Sequence, residues 1–351
     1  MPLRDDARAL VARINKEFGQ GSMVLASEIP RPARFPSGSL SLDVMLGGGW
    51  PANTWCEIVG SESSGKTSVV HKTIAANQDT DPEFMTLWIA AEAYDEDWAR
   101  ALGVDTDRVI VHTTNAMEEA YAVMLQAAQS RAVDAIVLDS YPALVASDED
   151  EKNMDESTMA TGARVTGRFF RKAGASTKRS LIETERPLLG IIINQWRDHI
   201  GAWAPPGTTA HISPGGKAKN YAYGVRLEVT RTEWIDEKRP PKGAFRVGQC
   251  IKFKTIKNKM APPQQVATVR FFFANAEVLG FRQGDYDIGT DLVAMGLLHG
   301  VIDGPGKSWL TLGDRKWNGK EKLAASLLEE VDLQAQLRAA VLAAAYPKEE
   351  R

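Results

Sequence analysis

Cysteine is scarce: the 351-residue chain holds two, Cys56 and Cys250. Two thiols cannot build a disulfide-dense secreted scaffold, and neither stands at the spacing of a metal-ligand pair. Cys56 lies within an apolar run, which predicts a small buried side chain rather than half of a disulfide and suits a reducing cytoplasm. Histidine is scarce too, and its five residues form no ligand cluster, so no structural metal is expected. No apolar run approaches the roughly 20 residues of a membrane span. The N-terminal stretch lacks the apolar segment of a secretory signal. No membrane partner is expected, and the expected location is the cytoplasm. An excess of one charge is also missing: 42 Lys and Arg stand against 45 Asp and Glu, a net charge of −3. Global charge does not draw the chain to nucleic acid, so any such site must come from local basic clusters. There is no internal repeat and no low-complexity tract, which excludes a solenoid. What remains is the balance of a soluble globular protein, 44% hydrophobic and 25% charged, long enough for one large domain with an appendage or two to three small ones.

Gly60-Ser61-Glu62-Ser63-Ser64-Gly65-Lys66-Thr67 has the spacing of a phosphate-binding P-loop. It follows the apolar run Trp55–Val59, which reads as a buried strand, and precedes Ser68–Asn77, which reads as a helix. Gly60 and Gly65 are expected at backbone torsions closed to other residues. The loop amides, with the positive end of the helix, then form a nest for polyphosphate. Lys66 is expected to reach the β- and γ-phosphates and the Thr67 hydroxyl to hold Mg²⁺.

Residues 4–18 carry Ala7, Leu10, Val11, Ile14 and Phe18 at helical spacing, and Gly19 ends the helix. Its stripe must pack either on its own domain or on a neighbouring subunit. Pro30, Pro32 and Pro36 then read as an extended linker. Strand candidates follow at Trp55–Val59, Phe84–Ala90, Arg108–His112, Ala135–Asp139 and Leu188–Asn194, with helical patterns between them. That alternation predicts an α/β fold, a mostly parallel central sheet covered by helices on both faces. Val225–Arg231, Cys250–Ile256 and Ala267–Phe273 read as antiparallel strands added to one edge. Helices are predicted over Asp291–Leu298 and Glu321–Ala345. The expected organisation is an N-terminal helix and linker over 1–36, an ATPase-type core over 37–280 and a small α+β C-terminal domain over 281–351.

Several residues stand where chemistry needs them. Asp139 ends an apolar strand about 70 residues beyond the P-loop, where an acid can hold the Mg²⁺ shell through water. Glu92 follows another strand, where a carboxylate can activate the attacking water; Asp95, Glu96 and Asp97 lie close enough to compete for that role. Gln195, after Asn194 at a strand end, can sense the γ-phosphate or can simply cap the strand. The long segment from Gln195 to Tyr223 mixes Trp196, Arg197, His199, Trp203, Lys217 and Lys219 with Gly and Pro. Basic residues interleaved with aromatics can bind single-stranded nucleic acid. Arg164, Arg168 and Arg171 share one helical face after Met159, either as a second such site or as a solvated face. Lys252 and Lys254 alternate in a strand and Lys257 and Lys259 extend past it. They could defend an edge or reach a neighbour's nucleotide.

Taken together, these residues resemble the bacterial RecA recombinase family over nearly the whole chain. The resemblance rests on Lys16–Ser22, Ser37–Asp43, Glu62-Ser63-Ser64-Gly65-Lys66-Thr67, Val133–Ser140, Ile193-Asn194-Gln195 and Ile256-Lys257-Asn258-Lys259. It implies ATP and Mg²⁺ as cofactors, with Gly60 to Ser68 holding the nucleotide and Trp98 stacking on adenine. It makes Glu92 the catalytic carboxylate, Gln195 the switch from γ-phosphate to DNA, and Lys257 and Lys259 the pair that reaches the neighbouring protomer's ATP. It puts two DNA-binding loops at about 148–164 and 196–216, with Met159 and Ile200 as wedges between bases. Arg164, Arg171, Arg197, Gly215, Gly216 and Lys217 then lie along the DNA backbone, and Arg231, Lys252 and Lys254 in a secondary DNA site. The implied partners are single-stranded DNA, homologous duplex and further copies of the chain in a helical filament, onto which the N-terminal helix docks. The implied activity is DNA-dependent ATP hydrolysis with homology search and strand exchange. A filament-forming regulatory ATPase without strand exchange is the alternative, because Thr230 replaces a basic residue of the secondary site and Pro205, Pro206 and Pro214 lengthen the second loop. Ala90 and Ala93 replace polar residues flanking Glu92, and the chain ends without a long acidic tail.

Overall fold

The computed structural model describes residues 4–147, 159–177, 186–199, 203, 210–241, 243–304 and 308–347, with backbone alone at 159–160 and 175–177. In chain order the strands are β1 (Arg34–Phe35), β2 (Trp50–Pro51), β3 (Thr54–Gly60), β4 (Thr86–Ala90), β5 (Val109–Thr113), β6 (Ala135–Asp139), β7 (Leu189–Gln195), β8 (Arg197–Asp198), β9 (His211–Ile212), β10 (Val225–Lys238), β11 (Ala244–Asn258), β12 (Val266–Phe272), β13 (Trp309–Leu312) and β14 (Arg315–Asn318). The helices are α1 (Asp5–Phe18), α2 (Leu40–Leu46), α3 (Lys66–Thr80), α4 (Glu96–Ala101), α5 (Met117–Ser130), α6 (Met159–Thr177), α7 (Gly216–Ala222), α8 (Ile288–Leu298), α9 (Lys320–Glu329) and α10 (Val331–Ala345).

Eight strands form the central sheet in the order β12-β11-β10-β3-β7-β6-β4-β5. β10, β3, β7, β6, β4 and β5 run parallel, as alternating strands and crossover helices require. The period-2 alternation of each strand divides its apolar residues between two layers. Cys56, Ile58, Ile191 and Ile193 face α3, with Val69, Val70 and Ile74. Trp55, Ile136, Leu138 and Ile192 face α5 and α6, with Tyr121, Met124 and Phe169. Cys56 is fully buried, as its place in the run predicts. Register aligns the carboxyl ends: Gly60 pairs with Gln195, and Ala90 with Asp139. This single edge collects the residues that matter below.

Three expectations change. β10 joins the sheet parallel to β3, so only the β10–β11 and β11–β12 joints are antiparallel. β10 and β11 run well beyond the expected Arg231 and back to Ala244, because their far halves pair with each other rather than with the core. The single helix expected over Glu321–Ala345 breaks at Glu330, whose torsions are extended, into α9 and α10. The break lets both helices bury one side, Leu323 and Leu327 on α9 with Leu333, Leu337 and Val341 on α10, in a C-terminal core that also holds Trp317 of the β13–β14 hairpin. Buried Asp291 on α8 ties this core to the start of α2, accepting from the Leu40 amide at 2.7 Å and the Ser39 hydroxyl at 2.9 Å. By contrast, none of the residues of α1 is buried, and Leu10 and Phe18 of its apolar stripe are 42% and 67% exposed.

Candidate nucleotide and nucleic-acid site

The loop between β3 and α3 has P-loop geometry. Gly65 sits at φ +96°, and Ser63 takes a left-handed φ of +53°. Gly60 does not fit the torsional expectation, and crowding explains it: a Cβ there would lie 2.2 Å from the Val229 carbonyl oxygen and 2.8 Å from Ser64 Oγ. Lys66, 8% exposed, donates to the carbonyls of Gly60 at 3.2 Å and Ser61 at 2.6 Å. Burial pulls its pKa down, against the pull of Asp139, Glu92 and Glu62. Ser64 Oγ is buried without a hydrogen-bond partner among the described residues. An orphaned hydroxyl and a concave turn of amides ahead of a 15-residue helix fit a polyphosphate.

Thr67 Oγ1 donates to Asp139 Oδ2 at 3.1 Å, so the strand-end acid and the P-loop hydroxyl meet where a hydrated Mg²⁺ would be held. Burial pushes the Asp139 pKa up to about 6, and nearby Glu92 adds to the rise; Thr67 and Lys66 oppose it. A carboxyl whose folded pKa is raised gives stability below its unfolded value near 4, and loses it as pH climbs through about 6. Above that, ionised Asp139 costs the fold about 3 kcal/mol relative to its protonated form. Asp139→Asn is therefore expected to raise the thermal midpoint at pH 7.5 by several degrees while removing stabilisation by Mg-ATP. An unchanged or lower midpoint would contradict this.

The structure separates the acids that compete after β4. Asp95 caps α4, accepting from the Trp98 amide at 2.9 Å. Glu96 is engaged by Arg100 at 2.6 Å and Thr106 at 3.1 Å. Glu92 instead stands at the carboxyl edge: its amide donates to the Asp139 carbonyl at 3.1 Å, and its carboxylate accepts from the Ser140 hydroxyl. Sequence reasoning missed Ser140. Trp98 lies on α4, half-buried, with its ring edge-on to Phe271 at 6.3 Å.

Gln195 ends β7 beside Gly60, and the next amide, Trp196, donates to the Gly60 carbonyl at 3.3 Å. The Trp196 indole donates to Glu228 on β10 at 3.0 Å, a contact the sequence did not signal. The chain then enters a hairpin in which Arg197 pairs with Ile212 and Asp198 with His211. The hairpin returns to Gly215 and Gly216, at φ +106° and +76°, which open α7. A Cβ on Gly215 would sit 2.7 Å from Lys219, and one on Gly216 2.9 Å from Ala163 of α6. Glycine lets the second predicted DNA segment close on the first. One cleft is in fact lined by both, by Gly162 and Ala163 from one and Arg197, His199, Gly215 and Gly216 from the other. Arg164, Arg168 and Arg171 are exposed along α6, and Lys217 is exposed on α7. Ile200 lies outside the described residues, as do 148–158 and most of 200–209; Met159 starts α6, and only its backbone is described.

Lys252 and Lys254 lie opposite Thr230 and Glu228, on one face of the sheet. The bulge at Ile256 brings Lys257 onto that face opposite Arg226. Arg231 pairs with Ile251 and alternates onto the other face, where its guanidinium stacks 4.0 Å over Trp234. The structure thus does not group Arg231 with the two lysines. Lys257 donates to the Asn220 carbonyl at 2.5 Å and Lys259 to the Tyr221 carbonyl at 2.9 Å. Arg226, beside Lys257, pairs with Glu57, three residues before Gly60. At about 3.3 Å per residue this leaves Lys257 roughly 10 Å back from the protomer's own P-loop edge.

The family model described as the RecA N-terminal domain matches residues 6–277. Similar relatives include Protein RecA of Pseudarthrobacter chlorophenolicus, 36% identical over 342 residues, covering 95% of this chain and 90% of that one. Protein RecA of Rhodococcus opacus is 37% identical over 341 residues, with the same coverage. Protein RecA of Mycolicibacterium smegmatis is 37% identical over 339 residues, covering 95% of this chain and 89% of that one. With a P-loop, an acid-tipped strand one strand away and a polar strand end feeding a glycine-hinged cleft, the chain belongs to the RecA family.

Proposed function

We propose that the protein is an ATP-dependent recombinase that polymerises on single-stranded DNA, searches for homologous duplex and exchanges strands. The observation that carries this reading is the continuity of β7. Gln195 sits between Gly60 of the P-loop and the hairpin that delivers Arg197 to the cleft. A group that contacts the γ-phosphate there is covalently next to the residues that line DNA. ATP binding can then shift the cleft by differential contacts alone.

Roles follow from position. The P-loop amides and Lys66 bind and orient the phosphates. Thr67, and Asp139 through water, would hold Mg²⁺, which would supply positive charge beside the phosphates. Glu92 takes a proton from the attacking water, and Ser140 fixes its carboxylate. Trp98 offers a ring to adenine. Lys257 and Lys259, set back from their own P-loop, act on the ATP of an adjoining protomer. The exposed apolar stripe of α1 docks on another copy of the chain. The cleft with Arg197, together with the exposed Arg164 and Arg171 of α6 and Lys217 of α7, holds the single strand, and Lys252 and Lys254 attract the duplex. We assign 1–36 to assembly, 37–280 to the ATPase core and 281–351 to a C-terminal domain, in a cytoplasmic protein.

The deciding experiment is ATP hydrolysis with and without single-stranded DNA, followed by strand exchange between homologous substrates. Strong stimulation and product formation support the reading. Stimulation without exchange would favour a regulatory filament, and hydrolysis indifferent to DNA would refute both. Lys252→Ala with Lys254→Ala is expected to weaken duplex capture and reduce the log–log salt slope of duplex binding by about 2, leaving single-strand-stimulated hydrolysis in place.

A further inference from the structure

Behind the P-loop lies a buried ion cluster that the roles above leave unused. Glu57, in the middle of β3, is 0% exposed and interrupts an otherwise apolar strand. Its Oε1 accepts from Lys219 Nζ at 2.6 Å and from Asn194 Nδ2 at 2.9 Å, and its Oε2 accepts from Arg226 Nε at 2.6 Å. Lys219 is itself fully buried. Both cations also donate to Ser213 Oγ, at 2.7 Å and 2.9 Å. Asn194 gives its remaining amide hydrogen to the Pro214 carbonyl at 3.1 Å, and its oxygen accepts from the Gln195 amide at 2.9 Å.

Such a cluster is a poor source of net stability, because desolvation offsets most of the Coulomb attraction. It does fix geometry, since every donor must stay in place or leave a buried charge unpaired. Three donors, Asn194, Lys219 and Arg226, and the acceptors Ser213 and Pro214 come from four places, each adjoining a functional position. Asn194 precedes Gln195. Ser213 and Pro214 precede the Gly215–Gly216 turn. Lys219 belongs to α7, whose last carbonyls hold Lys257 and Lys259. Arg226 lies opposite Lys257. Movement of the β7 end cannot leave α7 behind without breaking bonds to the Glu57 carboxylate, nor leave the turn behind without breaking the bonds that Ser213 and Pro214 accept from the same three donors.

We propose that Glu57 is a positioning residue that locks the Gln195 strand end, the Gly215–Gly216 turn and α7 into one unit. Nucleotide state and DNA affinity are thereby read together. The inference rests on the recombinase reading and names the residue that makes its coupling rigid.

The test is the ratio of single-stranded DNA affinities with a non-hydrolysable ATP analogue and with ADP, read by anisotropy of a labelled oligothymidylate, with nucleotide affinity measured separately. Glu57→Gln keeps the shape but sets an amide donor against a cationic donor. Ser213→Ala removes the oxygen on which both cations converge without altering buried charge, and serves if the first variant fails to fold. Coupling between sites is commonly 5- to 150-fold, so wild type is expected to show a ratio of about tenfold or more, and Glu57→Gln a ratio near one. Ser213→Ala should show a smaller loss in the same direction, with nucleotide affinity within about threefold of wild type in both. A merely structural role would lower the thermal midpoint and leave the ratio alone, and that result in folded variants would overturn the inference. A ratio near one in wild type would overturn the recombinase reading together with the inference; a wild-type ratio retained by both variants would overturn the inference alone.

Discussion

Lys66→Ala is expected to remove nucleotide-dependent filament formation and to lower ATP hydrolysis by at least about 100-fold, the scale on which a preorganised donor to a transferring phosphoryl group acts. Lys66 opens α3 and is held at the loop, donating to Gly60 and Ser61. Its burial means that the ammonium loses little further hydration when it meets phosphate, and in low dielectric each such contact is stronger than in water. Alanine leaves the helix and the amide nest standing, so the folded state should persist and the loss should fall on nucleotide contacts. Filament assembly by electron microscopy and turnover in the same preparation check it. A variant that assembles on ATP and exchanges strands normally would refute the assignment of the nucleotide site.

The second large effect is expected at Glu92. Glu92→Gln should bind ATP and single-stranded DNA nearly as wild type does, yet hydrolyse ATP about 10² to 10⁴ times more slowly, the range for loss of a general base. Glutamine can still accept from Ser140 Oγ, so the loop should keep its shape while losing the group that takes the proton. Filaments formed on ATP should then persist, since disassembly would await hydrolysis. Glu96→Gln is the informative control. That carboxylate is occupied by Arg100 and Thr106, and its loss should leave turnover within about twofold. Unchanged hydrolysis in the Glu92 variant with loss in the Glu96 variant would move the base.

Much of this architecture was legible in the chain. Strands packed by helices on both faces must be apolar throughout, and Trp55–Val59, Ala135–Asp139 and Leu188–Asn194 stand out for that reason. The polar residue that ends such a run stands at the edge where the parallel sheet opens, which is why Asp139 and Gln195 were visible as candidates. Less legible were features without a local signal. The distal halves of β10 and β11 have each other as partners and bury only Ile235 and Val247 in a small separate cluster, so their sequence carries little core pattern. The break at Glu330 follows from what α9 and α10 pack against, not from a Pro or Gly. Crowding at Gly60 comes from Val229, far away in sequence.

The sequence by itself determined the α/β class, the P-loop and its flanking strand and helix, and the short set of acids and amides at strand ends. Local pattern suffices for these, because burial on two faces, loop torsions and helix starts are written in neighbouring residues. Only the tertiary structure set Glu92 against Ser140, 48 positions along the chain, whereas Asp95 and Glu96 take their partners from Trp98, Arg100 and Thr106 close by. Only it set Arg231 apart from Lys252 and Lys254, because register and bulges choose the face of a strand. And only it placed Glu57, Asn194, Lys219 and Arg226 around one another, since charges up to 169 positions apart meet where β3, β7, α7 and β10 pack together.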